Sequence, residues 1–288
     1  MRLLFAMFLF VTLINQMTVF GDELLRKQLH DERPQQVDES IKIVNGSMVV
    51  VRQPNEAKSS SPIMIHFHGA LETTRCALAR SEFRGSLVVV NFPGLSTAYS
   101  KPFADNPKLL EEIIGHATAV TDDKSTDDKA TIPNPRIILS SFSAGYGAIR
   151  EILKSPEHFK SIDAIVTADS IYAGLDTETP ARVVSREDMS EFLRFAELAI
   201  KGEKQFVLSH SAQTTPYAST TETADYLLQT LQIVRVADAT TQRPLLTQTS
   251  KAQQGKFTVM GFSGETGQHH MQHLHQIDLL WGSLDRLE

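Results

Sequence analysis

The sequence predicts an α/β domain, a mostly parallel central sheet flanked by helices with a β-hairpin at its start. Two observations predict it. Six short, near-continuous apolar runs, at 63–68, 87–92, 136–139, 164–168, 206–208 and 257–262, have strand length. Continuous apolarity is what a strand buried on both faces requires. Helical patterns fall between the runs, clearest at 109–119, 148–154, 187–201 and 221–231. Strand alternating with helix implies parallel pairing.

The elements follow in order. Residues 1–21 hold one charge, Arg2, then an apolar run from Leu3 to Ile14, and the small residues Val19 and Gly21 before Asp22. That pattern reads as a secretory signal peptide, which predicts a secreted or periplasmic protein. Asn15 and Gln16 interrupt the run, so a full ~20-residue apolar span is missing and no stable membrane span is expected after cleavage. Residues 22–40 are charged and polar, with Pro34, Gln35 and Gln36, and read as an exposed leader. Residues 41–51 form two β-type runs around Asn45-Gly46, a strong short-range hairpin signal. One domain is expected over 41–288, with a small insert around 170–203 that includes Tyr172 and one helix. The polar stretches 121–131 and 237–254 read as solvated loops, and 271–284 as a final amphipathic helix. Thr220 and Thr221 are placed to cap the helix that opens beside Glu222.

The chain of 288 residues carries 28 Lys+Arg against 34 Asp+Glu, a net charge of −6. A mildly acidic balance lacks the basic footprint of a nucleic-acid binder. Cys76 is the one cysteine, so no intrachain disulfide forms. A domain of this size has a core large enough to stand without one.

The most informative stretch is 136–150. An apolar β-type run ends in Ser141-Phe142-Ser143-Ala144-Gly145, and helix formers follow. Strand, sharp turn and helix present a nucleophilic serine where small residues flank it at offsets of two, a pattern usually written Gly-x-Ser-x-Gly. Here the first flanking residue is Ser141, small enough but not glycine. Capping of the following helix by Ser141 or Ser143 is the plain alternative.

With three further features, in this chain order, the chain resembles an α/β hydrolase over about 62–281. The first is His66-Phe67-His68-Gly69-Ala70 at the end of a buried strand. The second, after the serine, is an acid at a later strand end. The third is the histidine-rich loop 264–275. The resemblance implies an oxyanion hole made by the backbone N–H groups of Ala70 and Ala144, with His66 and His68 as buried structural residues. It calls for an acid, most commonly after the following strand, but no acid follows 205–208 before Glu222; Asp169, directly after the 164–168 run, is favoured by its strand-end placement, with Glu222 as the alternate. It implies a base among His269, His270 and His273, with His270 favoured at the loop–helix junction and His273 as alternate. Tyr172 is a candidate substrate contact.

The expected function is serine hydrolysis of an ester, thioester or amide through an acyl-enzyme, on a small-molecule or polymer ester, with no cofactor. Two alternatives stand beside it. One is a non-catalytic binding protein on a hydrolase fold. The other is a metal-dependent hydrolase, because His269 and His273 have i, i+4 spacing. Position 270 is His, however, where a zinc helix of this kind carries glutamate.

Overall fold

The computed structural model describes residues 37–43, 46–52, 61–119, 135–178 and 181–285. The signal and most of the leader expected before Val37, and the loop expected at 121–131, lie outside the described residues.

The strands are β1 (Val37–Ile43), β2 (Gly46–Arg52), β3 (Ile63–Phe67), β4 (Ser86–Asn91), β5 (Ile137–Phe142), β6 (Ile162–Ala168), β7 (Gln205–His210), β8 (Val236–Ala237), β9 (Gln242–Arg243), β10 (Leu246–Gln254) and β11 (Phe257–Phe262). The helices are α1 (Leu71–Arg80), α2 (Ser96–Asp105), α3 (Leu109–Ala119), α4 (Tyr146–Leu153), α5 (Pro156–Ser161), α6 (Arg186–Ile200), α7 (Thr220–Thr230), α8 (Gly267–His275) and α9 (Asp278–Trp281). A 3-10 turn, Ser143–Gly145, joins β5 to α4.

The sheet runs β1-β2-β4-β3-β5-β6-β7-β11-β10-β8, with β9 against β10. From β4 through β11 each neighbouring pair is parallel. The β1–β2 hairpin extends one side antiparallel, and β10 with β8 extends the other. The sheet is therefore mostly parallel and mixed at its margins.

The continuous apolar runs arise because alternate residues serve two cores. In β3, Ile63, Ile65 and Phe67 join a cluster with Leu139, Ile149, Ile152, Phe192, Phe195 and Phe206. Met64 joins the opposite cluster with Ile138, Val166, Val207, Leu274, Ile277 and Trp281. Side chains alternate across a strand, so a strand covered by helices on both faces has no polar side to show. α4 and α6 pack on the first face, α8 and α9 on the second.

Three elements differ from the sequence-based expectation. β1 begins at Val37, inside the stretch read as leader, because its register is supplied by pairing with β2, from Val37 against Arg52 to Ile43 against Gly46. The stretch 237–254 is not a solvated loop. β10 fills half of it, burying Leu246, Gln248 and Ala252 on one face and leaving a polar outer face. Polar alternation of this kind hides a one-sided strand from a reading that looks for apolar runs. The expected helix over 271–284 is two helices, α8 and α9, because the backbone leaves helical geometry at Gln276. Asp278 then opens α9, and its buried carboxylate accepts from Arg80 at 2.8 Å and Arg243 at 2.9 Å.

Candidate active site

Ser143 occupies the sharp turn between β5 and α4. Its φ is +47°, in the left-handed region that non-glycine residues rarely adopt. Such strain persists only where the surroundings over-determine it, and it concentrates at functional sites. Two features hold the turn. A Cβ on Gly145 would lie 2.1 Å from the Phe67 carbonyl oxygen, so β3 runs too close for any side chain there. Ser141 explains the departure from the usual glycine. It is fully buried at the end of β5, with its Oγ 2.7 Å from Ser170 Oγ, and Ser170 Oγ donates to the Ser143 carbonyl at 2.8 Å. Ser170 has one proton and spends it on that carbonyl, so Ser141 donates to Ser170. The hydroxyl pair ties the turn to the end of β6.

Asp169 follows β6 directly. It is fully buried, with φ of +44°. Its Oδ1 accepts from the Ser211 N–H at 2.8 Å and from the Thr220 hydroxyl. Its Oδ2 lies 2.7 Å from His270 Nδ1. Burial works against ionisation of Asp169, but the imidazoles of His273 and His270 and the Thr220 hydroxyl outweigh it and hold the carboxyl below the usual range. Burial also drives His273 down to about 4, so His273 is neutral at pH 7. There the hydrogen bonds from His270, Thr220 and Ser211 keep the carboxylate ionised. An ionised carboxylate only accepts, so neutral His270 carries its proton on Nδ1 and leaves Nε2 as an acceptor.

The three candidate histidines separate clearly. His270, on the first turn of α8, meets Asp169 and stacks on Phe142, with centroids 4.5 Å apart. His269 is half-buried, with Nδ1 2.6 Å from the Thr266 hydroxyl that caps the helix. His273 is buried beneath the site, with Nδ1 2.8 Å from Ser209 Oγ. The alternate acid Glu222 lies elsewhere. It completes a capping box with Ser219, which takes the cap position expected of Thr220 or Thr221, and it pairs with Arg182 at 2.8 Å. The Arg182 hydrogen bond holds its carboxyl down to about 2. Among the described residues no group of three or more His, Cys, Asp or Glu side chains could hold a metal ion.

His66 is fully buried, with Nδ1 2.9 Å from Ser140 Oγ, which also accepts from the Trp281 indole at 3.0 Å. His68, at φ +71°, lies 2.8 Å from the Tyr99 hydroxyl and stacks on Phe142. The Gly69 backbone is clamped by Asn91, which accepts from its N–H at 3.0 Å and donates to its carbonyl at 2.9 Å. Ala70 follows, exposed, at the N-terminus of α1.

Ser143, Ala144 and His270 line one cavity of about 410 Å³, and Ala70 is not among its walls. Tyr172, singled out in the sequence, is a wall residue. Tyr146, Arg150, Asp188 and Tyr217 are wall residues that sequence reasoning missed. Tyr146 and Arg150 had a signal, since they stand one and two helical turns beyond the serine on α4.

No protein-family model matches the chain, and no curated protein matches it. Solved structures do. An ester hydrolase from the metagenome of Lake Arreo, complexed with a bipyridine phosphonate derivative, is 14% identical over 92% of this chain and 90% of its own, with a TM-score of 0.48. An α/β hydrolase mutant from the same metagenome is 12% identical over 91% and 89%, with a TM-score of 0.47. A fungal esterase from Rhizomucor miehei is 11% identical over 91% and 90%, with a TM-score of 0.41. On its own geometry, with a mostly parallel sheet, a serine on a strand–turn–helix and an Asp and a His following in that chain order, the chain resembles the α/β hydrolases.

Proposed function

We propose that the protein is a serine hydrolase that cleaves a carboxylic ester through an acyl-enzyme. The supporting observation is the shared cavity. A serine held at positive φ and an imidazole whose far nitrogen is bonded to a buried carboxylate open into the same space. Ser143 attacks the carbonyl, and His270 Nε2 takes its proton and later delivers it to the leaving alkoxide. Asp169 holds the tautomer that makes Nε2 the acceptor and stabilises the imidazolium. The Ala144 N–H stabilises the oxyanion at the cavity wall, and the Ala70 N–H, which precedes α1 outside that wall, is the second donor that the resemblance implies. Water then releases the acyl group, and no cofactor enters this scheme. A fluorophosphonate probe should label Ser143 stoichiometrically, read by peptide mass spectrometry. Failure to label folded protein would favour a binding protein on the same fold.

The first 21 residues support export as part of this reading, to a secreted or periplasmic location. Expressed in a bacterium with its own leader, the protein should be found outside the cytoplasm beginning at or near Asp22. Membrane-bound material that retains Met1 would overturn export by cleavage.

A further inference from the structure

The cavity beside Ser143 has walls more specific than ester hydrolysis requires. Three tyrosines converge on it from three different parts of the chain. Tyr172 packs edge-on against Tyr217, with centroids 5.5 Å apart at 83°, and lies 5.7 Å from Tyr146 at 55°. These spacings lie within the range of favourable ring contacts. Tyr146 is buried, whereas Tyr217 is 50% exposed, and Leu95 on the rim is 80% exposed. An apolar, aromatic rim left open to solvent is surface that a bound ring would cover.

Arg150 lies further along the same helical face. Its guanidinium is 5.3 Å from the Tyr146 ring centroid. Arg150 donates to Asp188 Oδ1 at 2.7 Å, and Asp188 Oδ2 is occupied by the Gly174 N–H at 2.7 Å. The carboxylate is therefore satisfied and the pair is neutral overall. Arg150 lines the cavity, and its guanidinium has donors beyond the one spent on Asp188. An uncharged acceptor oxygen suits that end better than an anion, which would meet Asp188 as well.

We propose that this cavity is a subsite for an aromatic ring bearing a neutral acceptor oxygen, such as a phenolic hydroxyl or methoxyl. The ring is carried by the ester on its acyl or its alcohol side. The inference rests on the proposed hydrolase reading for its function, but the subsite is tested by binding alone. The Ser143→Ala protein, full length after its leader, is titrated calorimetrically with matched esters. Ethyl 4-hydroxybenzoate should bind about tenfold tighter than ethyl 4-hydroxycyclohexanecarboxylate, which has the same outline without the π face, and several-fold tighter than ethyl benzoate, which lacks the oxygen. A comparable preference for 4-hydroxyphenyl acetate over its cyclohexyl counterpart would place the ring on the alcohol side, and either result supports the subsite. Tyr172→Leu and, on the exposed rim, Tyr217→Leu should each shrink the aromatic preference. Arg150→Met should abolish the preference for the oxygen. Equal affinity for the aromatic and saturated esters, or tighter binding of a sugar acetate, would overturn the proposal. Aromatic preference in a protein that no fluorophosphonate labels would sink the hydrolase reading and leave the subsite standing. Labelling without that preference would do the reverse.

Discussion

Ser143→Ala is expected to remove ester hydrolysis and fluorophosphonate labelling together, with kcat falling by a factor on the order of 10⁴ to 10⁶, as loss of a triad nucleophile does. The fold should survive, because the contacts that hold the turn use the Ser143 carbonyl and Gly145, not the Ser143 hydroxyl. His270→Ala should cost about as much. The double variant should cost little more than either, since serine and histidine act as a unit. Asp169→Asn keeps the shape but accepts and donates where a carboxylate only accepts. It should cost on the order of 10⁴ in kcat, because the imidazole is then held in the wrong tautomer. Ser141→Ala is the discriminating control. It deletes the hydroxyl that donates to Ser170, at about 1 kcal/mol of stability, and should retain hydrolysis. Activity that survives Ser143→Ala and vanishes in Ser141→Ala would place the nucleophile wrongly. Activity that survives His270→Ala and vanishes in His269→Ala would do the same for the base.

The stability of this protein should begin to fall with acid well above the range in which ordinary carboxylates protonate. Burial lowers His66 to about 3 and His273 to about 4, whereas each takes a proton near 6.5 once exposed in the unfolded chain. Between 6.5 and about 4 the unfolded state therefore binds more protons, and stability falls as pH falls. Each buried imidazole contributes a slope of about 1.4 kcal/mol per pH unit across its window. The pair together removes on the order of 5 kcal/mol by pH 4, comparable with the whole stability of an ordinary domain. His68 and His210 are lowered by burial as well and act in the same direction. Asp169 works in a different window. Its folded carboxyl lies below its unfolded value of ~3.9, so its stabilisation is present above that pH and is lost only below it. Urea midpoints measured from pH 7.5 to 4.5 should drop steadily below 6.5. A flat midpoint over that range would mean that the two imidazoles accept protons without unfolding the chain.

The sheet, the turn at Ser143 and the order of the site residues were legible in the sequence, because each is encoded locally. A strand covered on both faces needs a continuous apolar run, and β3, β4, β5, β6, β7 and β11 each write one. A serine at positive φ needs small neighbours, and Ser141 and Gly145 supply them. Asp169 was legible because it stands directly after a buried run. Tertiary structure decided what no local pattern carries. β10 is polar and was read as a loop, because its strand geometry comes from pairing with β11. His269, His270 and His273 share one stretch of helix; the first turns to the cap of its own helix, and only the ends of β6 and β7 settle the neighbours of the other two. Thr266 takes the first, Asp169 the second and Ser209 the third. Glu222, the alternate acid in the sequence, is drawn to a helix cap and to Arg182. Tyr146, Tyr172 and Tyr217 lie far apart along the chain and become one wall only when α4, the segment after β6 and the loop before α7 converge. Backbone strain and burial period are properties of a few adjacent residues. A cavity is a property of segments that meet only in the folded chain.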